Sequence, residues 1–160
     1  DYPSEFNTIF EERNVPSKPT VYLCAQDRGP KGSLNGSERL LMLVNAPADG
    51  DRQNWSDDDV ARTRDSALAV LERCGLNLSF RDSDCVSTTP KDWHGRFPGS
   101  GGSLYGGASH GIWSSFTRPG ARSRLKGWYL SGGSVHPGPG VPMATLSGRL
   151  AASAVVRDIA

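Results

Sequence analysis

No apolar run in this chain approaches the roughly 20 residues needed to cross a bilayer. The longest, such as residues 40–44, are short, so any membrane association is expected to be peripheral. Neither charge is in excess: 18 Lys and Arg face 17 Asp and Glu, which removes the general reason to expect a nucleic-acid partner. Cysteine is scarce. Cys24, Cys74 and Cys85 are odd in number and form no CxxC pair, which argues against a zinc site or a disulfide framework and fits a reducing compartment. HExxH, an ordered Ser-His-Asp set and paired carboxylates are all missing, so hydrolase and metalloenzyme readings have little support and no metal is expected. The opening residues do not read as a secretory leader, so none is expected, and the chain opens at Asp1 without Met, a start that processing could also produce.

What is present fits a globular chain. Hydrophobic residues make up 36% and charged residues 22%, unlike a disordered or collagen-like composition. A chain of 160 residues suffices for one sizeable core or for pieces of two domains. In residues 2–13, Phe6, Ile9 and Phe10 recur at helical spacing, and Pro16 and Pro19 close the pattern. Residues 20–25 (TVYLCA) read as a strand, and the polar, Gly-rich residues 26–37 as a hairpin-type connection. Residues 38–45 (ERLLMLVN) are nearly all apolar and predict a partner strand buried on both faces. Ser56 before Asp57, Asp58 and Asp59 is a helix start, with a capping hydroxyl and negative charge at the positive dipole end. Val60, Ala67, Leu71 and Cys74 then share a stripe, and Gly75 is a C-cap candidate. The alternation of Leu76, Leu78 and Phe80 predicts a third strand, so the first half resembles an α+β layer covering a pocket.

Composition changes at Thr89. Thr89 and Pro90 predict a short capped helix through residue 97. The Gly-rich residues 98–111 follow, and their large residues Leu104, Tyr105 and His110 distinguish them from a Gly/Ser tether. Trp128, Tyr129 and Leu130 then predict a short buried strand. It leads to a Gly-Gly-Ser turn at residues 132–134 and a Pro/Gly loop through Gly140. A helix with Pro142 in its first turn comes last. Met143, Leu146, Leu150 and Ala154 share one of its faces, and the small residues Ala144, Gly148, Ala151 and Val155 suit close backbone approach on the next. Strand, glycine turn and helix N-terminus is the order by which α/β folds aim unpaired N–H groups at an anion or polar ligand.

The order GWYLSGGSVHPGPGVPMATLSG is similar to the C-terminal signature of bacterial-type carotenoid desaturases, within the amine-oxidase-like flavoproteins. The matching features are Gly132-Gly133, the stretch His136-Pro137-Gly138-Pro139-Gly140-Val141-Pro142, and Ser147-Gly148. Residues 89–93 and residues 97–109 also look like the family, and the details, including Leu104-Tyr105-Gly106 and residues 22–27, look most like its hydroxycarotenoid (methoxyneurosporene) 3,4-desaturase branch. The resemblance implies an α/β fold: the C-terminal part of a Rossmann-like FAD-binding domain in residues 89–160, preceded by part of a mixed-sheet α+β substrate domain in residues 1–88. It implies FAD as cofactor and a hydrophobic carotenoid as substrate. The implied chemistry is loss of a hydride to the flavin and of a proton from the adjacent carbon, leaving a new double bond. Gly132, Gly133 and Ser134 would lie along the ribityl-pyrophosphate, and Gly140, Val141, Pro142 and Met143 at the isoalloxazine edge. Tyr105, His110 and Trp113 would line the apolar pocket. No catalytic residue is identified.

One departure stands out. The family holds its adenosine and pyrophosphate on a GxGxxG turn, whereas Gly99-Ser100-Gly101 is followed by Leu104 where the third glycine belongs. The expectation is therefore a C-terminal fragment, inactive alone, in a cytoplasmic protein peripherally attached to membrane. Several residues keep two readings. His136 is either a proton carrier or a ring that orders its loop. His94 and His110 either face solvent or line a tunnel. Asp27, Asp82 and Asp84 read as surface acids. Arg118, Arg122, Arg124 and Lys126 form either a solvated turn or a patch facing anionic lipid, with Trp113 and Phe116 beside it. Two further alternatives are another flavoprotein (a phytoene desaturase, a retinol saturase-like enzyme or an amine oxidase) and a non-catalytic domain that binds an apolar ligand or partner.

Overall fold

A computed structural model describes residues 2–28, 36–106 and 118–160. The chain divides into two compact units, Asp1–Gly102 and Ser103–Ala160.

In the first unit, the aromatic and aliphatic spacing of the opening residues forms α1 (Tyr2–Phe10). Tyr2 packs edge-on against Phe6, and Phe6 stacks on Phe10 with ring centroids 5.8 Å apart. α1 ends there, short of residue 13, whose φ is +53°. β1 (Val21–Ala25) and β2 (Leu40–Val44) pair antiparallel with Val21 opposite Val44 and Ala25 opposite Leu40, as a hairpin-type connection requires. Glu5 joins the helix to the residues that flank the two strands, Thr20 before β1 and Asn45 after β2. It is 5% exposed, accepts from the Thr20 amide (3.0 Å) and hydroxyl (2.5 Å), and accepts from Asn45 Nδ2 (3.1 Å). Burial pushes its carboxyl up, but the bonds from Thr20 and Asn45 hold it below the usual range.

The expected double burial of the second strand does not hold. Leu41 and Leu43 are 42% and 43% exposed, as is Tyr22 at 57% opposite Leu43. Among the described residues, a two-stranded sheet packed against α2 through β1 has one apolar face left uncovered. The third strand is absent among the described residues. Residues 76–80 carry no strand ladder among the described residues, and Leu76 and Phe80 are 40% and 43% exposed. Alternation sets which side chains share a face, but it cannot supply the neighbouring ladder that makes a strand.

The helix starts follow the capping chemistry closely. α2 (Asp57–Arg73) opens on a reciprocal box in which Ser56 Oγ accepts from the Asp59 amide and Asp59 accepts from the Ser56 amide. Ala67 and Leu71 are buried, while Cys74 at the end of the predicted stripe is exposed. Gly75 follows with φ +82°. α3 (Pro90–Arg96) opens on the same box between Thr89 and Asp92, with Pro90 at its first position. Three glycines lock this helix to residues 48–51. The Gly50 amide donates to the Gly101 carbonyl (2.8 Å). Any Cβ on Gly50 or Gly102 would stand 2.2 or 2.1 Å from the Pro90 carbonyl oxygen. His94 is half-buried, and its Nδ1 accepts from the Gly101 amide (3.2 Å). Beside this junction Asp49 is 6% exposed, and its Oδ1 and the Trp55 Nε1 are buried without a hydrogen-bond partner among the described residues.

In the second unit, α4 (Val141–Ile159) buries its small residues and leaves the large ones of the other stripe partly exposed. Met143, Leu146 and Leu150 are 44%, 40% and 38% exposed, and the buried stripe is Ser147, Ala151 and Ala154. Small residues let the preceding segment lie close along the helix, and the larger side chains splay to the flanks. Gly148 stands in open space, with nothing within 4 Å of where a Cβ would be. The expected strand at residues 128–130 reduces to one bridge, Arg122 opposite Tyr129, and Trp128 is 67% exposed. That bridge is held by Asp158 near the end of α4, which accepts from Arg122 Nη2 (2.7 Å) and the Tyr129 hydroxyl (2.8 Å). Arg122 and Tyr129 together hold the Asp158 carboxyl down to about 2.

Candidate functional site

Residues 131–140 form an irregular loop leading into α4. Its first control point is Gly132, at φ +120°, a conformation closed to L side chains. The loop ends at Gly140, which caps α4 at φ +99° and offers no side-chain cap. A Cβ at either position would meet nothing within 4 Å, so the backbone is open to approach at both. The first intrahelical bond runs from the Ala144 amide to the Gly140 carbonyl (2.8 Å). Pro142 has no amide, so Val141 and Met143 carry the orphan donors of the first turn. Val141 is 83% exposed. Among the described residues, the start of α4 thus presents unpaired N–H groups and the positive dipole end without side chains walling them in.

The glycine turn is gripped from several sides. Ser147, fully buried on α4, accepts from the Gly132 amide (3.2 Å). Arg118 Nη1 donates to the carbonyls of Gly133 (3.0 Å) and Tyr105 (3.1 Å). The turn at residues 103–106 is closed by Ser103 Oγ donating to the Gly106 carbonyl (2.5 Å). It packs so near Ser134 that a Cβ on Gly106 would stand 2.6 Å from the Ser134 hydroxyl. His136 orders the loop through its backbone amide, which donates to the Pro119 carbonyl (2.9 Å).

Residues 2–156 match the family of flavin containing amine oxidoreductases. The chain belongs to that family. Among curated relatives, the hydroxyneurosporene desaturase of Rubrivivax gelatinosus is 50% identical over 160 residues, which is 99% of this chain and 30% of that protein. The hydroxyneurosporene desaturase of Rhodobacter capsulatus is 42% identical over 144 residues, covering 90% of this chain and 28% of that protein. A 1-hydroxycarotenoid 3,4-desaturase from a Flavobacterium species is 31% identical over 159 residues, covering 97% of this chain and 32% of that protein. The chain therefore spans about 30% of the length of these relatives. The resemblance seen in the HPGPGVP stretch and its flanks is real, and the oxidoreductase family and its flavin cofactor follow from it.

The mixture of helices with a small antiparallel sheet agrees with an α/β member of this flavin-containing family. Gly132, Gly133 and Ser134 lie in the turn, and Gly140, Val141, Pro142 and Met143 begin α4; the bond from Gly132 to Ser147 ties the two groups together. Tyr105 is 59% exposed, with its carbonyl bound by Arg118. His110 and Trp113, the other two predicted pocket residues, lie outside the described residues, as does Phe116. The expected cation patch splits. Arg118 grips backbone carbonyls and Arg122 pairs with Asp158, while Arg124 and Lys126 are exposed. The surface acids also have partners: Asp27 pairs with Arg39, Asp82 with Arg64 and Asp84 with Arg81. Sequence reasoning missed the roles of Ser147 and Arg118. Ser147 carried a signal as a polar residue inside an otherwise small-residue stripe, but Arg118 carried none beyond its place among other cations.

Proposed function

We propose that this chain serves FAD-dependent desaturation of a carotenoid, with 3,4-desaturation of a 1-hydroxycarotenoid as the favoured reaction. The carrying observation is the open start of α4 behind a loop free of Cβ atoms at Gly132 and Gly140. This donor set suits the acceptor-rich pyrimidine edge of an isoalloxazine, where reduction places negative charge that a helix N-terminus stabilises. Val141, Pro142 and Met143, with Gly140, would meet that edge, and Gly132, Gly133 and Ser134 the ribityl-pyrophosphate. When bound, the flavin supplies the hydride acceptor for forming the double bond. The residues of this chain orient the ring, offer amide donors and help exclude water. In the finer reading of the fold, residues 89–160 close a Rossmann-like FAD domain and residues 1–88 contribute to the substrate domain.

The hydroxycarotenoid branch is favoured because the relatives named for that chemistry are up to 50% identical over nearly the whole chain. A polyene substrate also makes contact with a bilayer from the cytoplasmic side the natural localisation. The turn at residues 123–128 supports this, with exposed Leu125 (63%) and Trp128 (67%) beside Arg124 and Lys126. The test is expression of the complete reading frame with lycopene-type and 1-hydroxylated carotenoids. A flavin spectrum in the purified protein and a red-shifted polyene product from the hydroxylated substrate are expected. A flavin-loaded protein that shifts neither carotenoid would refute the desaturase reading.

A further inference from the structure

The Gly132-Gly133 turn has its amide and its carbonyl held by two side chains that come from different parts of the same unit. Ser147, with no exposed surface, projects from the buried stripe of α4 and accepts from Gly132 N–H (3.2 Å). Ser147 is the one polar member of the buried set on α4, among Ala151 and Ala154. A buried hydroxyl is retained at a cost unless it is hydrogen-bonded. From the other side, Arg118 donates through one nitrogen to Gly133 O (3.0 Å) and Tyr105 O (3.1 Å). Its guanidinium also packs along buried Gly138, with Nε 3.7 Å from where a Cβ would stand. The two grips bracket the turn, and one of them originates within two helical turns of the open amides of Val141 and Met143.

We propose that Ser147 and Arg118 are positioning residues that hold the Gly132-Gly133 turn in register with the start of α4, so that flavin affinity and electronics depend on two side chains that do not touch the cofactor. This inference rests on the flavin reading above. The physical reason is that a turn at φ +120° has no side chain of its own to fix it. Its orientation is set by whatever grips its amide and carbonyl, and a displacement of about 1 Å in a positioning element can cost about 100-fold in function. Arg118 adds a fixed positive charge behind the turn, which favours negative charge on the ligand in front of it.

The test uses the flavin-loaded protein with Ser147→Ala, Ser147→Cys, Arg118→Met and Arg118→Lys. Ser147→Cys keeps the side-chain shape with a larger atom and supplies only a weak acceptor, whereas Ser147→Ala removes the acceptor without adding volume, so a loss common to both variants reports the hydrogen bond and not packing. Ser147→Ala, Ser147→Cys and Arg118→Met are each expected to weaken FAD binding about 10-fold, a loss of about 1.4 kcal/mol. They should also move the visible flavin absorption, and Arg118→Met should lower the reduction potential. Arg118→Lys should restore the potential more fully than the affinity. Exchange of the Gly132 amide in the flavin-free protein should quicken in both Ser147 variants. If Ser147→Ala fails to fold, Ser147→Cys and Arg118→Met carry the test. Variants that melt earlier yet keep wild-type FAD affinity, spectrum and Gly132 exchange would show a packing role only and overturn this inference alone. A wild-type protein that takes up no flavin overturns the flavin reading and this inference with it.

Discussion

The glycine junction around Pro90 permits a sharp quantitative test. Gly102→Ala would place a Cβ 2.1 Å from the Pro90 carbonyl oxygen and 2.7 Å from Pro90 C and Cα. Non-bonded heavy atoms rest at about 3.5 Å or more, so the two backbones must part by about 1 Å. Both partners are backbone, and no rotamer change relieves the contact. Overpacking of this kind costs about 1–3 kcal/mol, and Gly102 adds a φ of +87°, worth about 1–2 kcal/mol for an L residue. The expected loss is therefore about 2–5 kcal/mol. Gly50→Ala provides the internal control. Its Cβ meets the same carbonyl at 2.2 Å, and Gly50 is not among the positive-φ glycines. It should cost about 1–3 kcal/mol, leaving the difference between the two variants as the conformational share. Gly95→Ala, in open space within α3, should gain about 0.5–1 kcal/mol. Urea melts followed by tryptophan fluorescence read these as midpoint shifts. A loss of 3 kcal/mol moves the midpoint by about 1–3 M for ordinary m-values. Gly102→Ala within about 0.5 kcal/mol of wild type would refute the interlock, and Gly50→Ala costing more than Gly102→Ala would refute the conformational share.

Other expectations follow from the buried and paired acids. Glu5→Leu removes the acceptor of three bonds from Thr20 and Asn45 and should cost about 2 kcal/mol, since both partners can regain water; a loss under about 0.5 kcal/mol in a urea melt would show that Glu5 is not the tie between α1 and the hairpin. Asp158 is held down to about 2 by Arg122 and Tyr129. Its contribution to stability is therefore complete above its ordinary value near 3.8 and lost as pH falls toward about 2. Asp158→Asn should flatten the fall of Tm in that acid window, and an unchanged slope would contradict the pairing. Asp49 behaves in the opposite sense. Burial pushes its carboxyl above the usual range, against the nearby cations Arg13 and Arg52 and with Asp51 adding to the rise. Its folded form is favoured while protonated and loses stability as pH rises through the raised value. Asp49→Asn should thus reduce the loss of Tm between pH 4 and pH 8, and an equal loss in both proteins would place the carboxylate in contact with water.

Local chemistry was legible without coordinates wherever it is completed within a few residues. Ser56 with Asp59 and Thr89 with Asp92 close their boxes inside one turn, so both helix starts could be read directly. The hairpin followed from two β-rich runs flanking a polar connection, and the loop leading into α4 from its proline and glycines. Only the tertiary structure decided what depends on a partner distant in sequence. Among the described residues, 76–80 have the alternation of a strand but no neighbouring ladder, and Leu41 and Leu43 have the hydrophobicity of a core but no covering layer. On α4 only the structure decided between the two stripes, because close packing there rewards small side chains over Met143, Leu146 and Leu150. At the candidate site the glycines announced themselves, whereas the backbone partners of Ser147 and Arg118 did not. Their hydrogen bonds each reach across 15 residues to one backbone group of the turn, and the identity of such a partner is set by how the chain folds back, not by any local spacing.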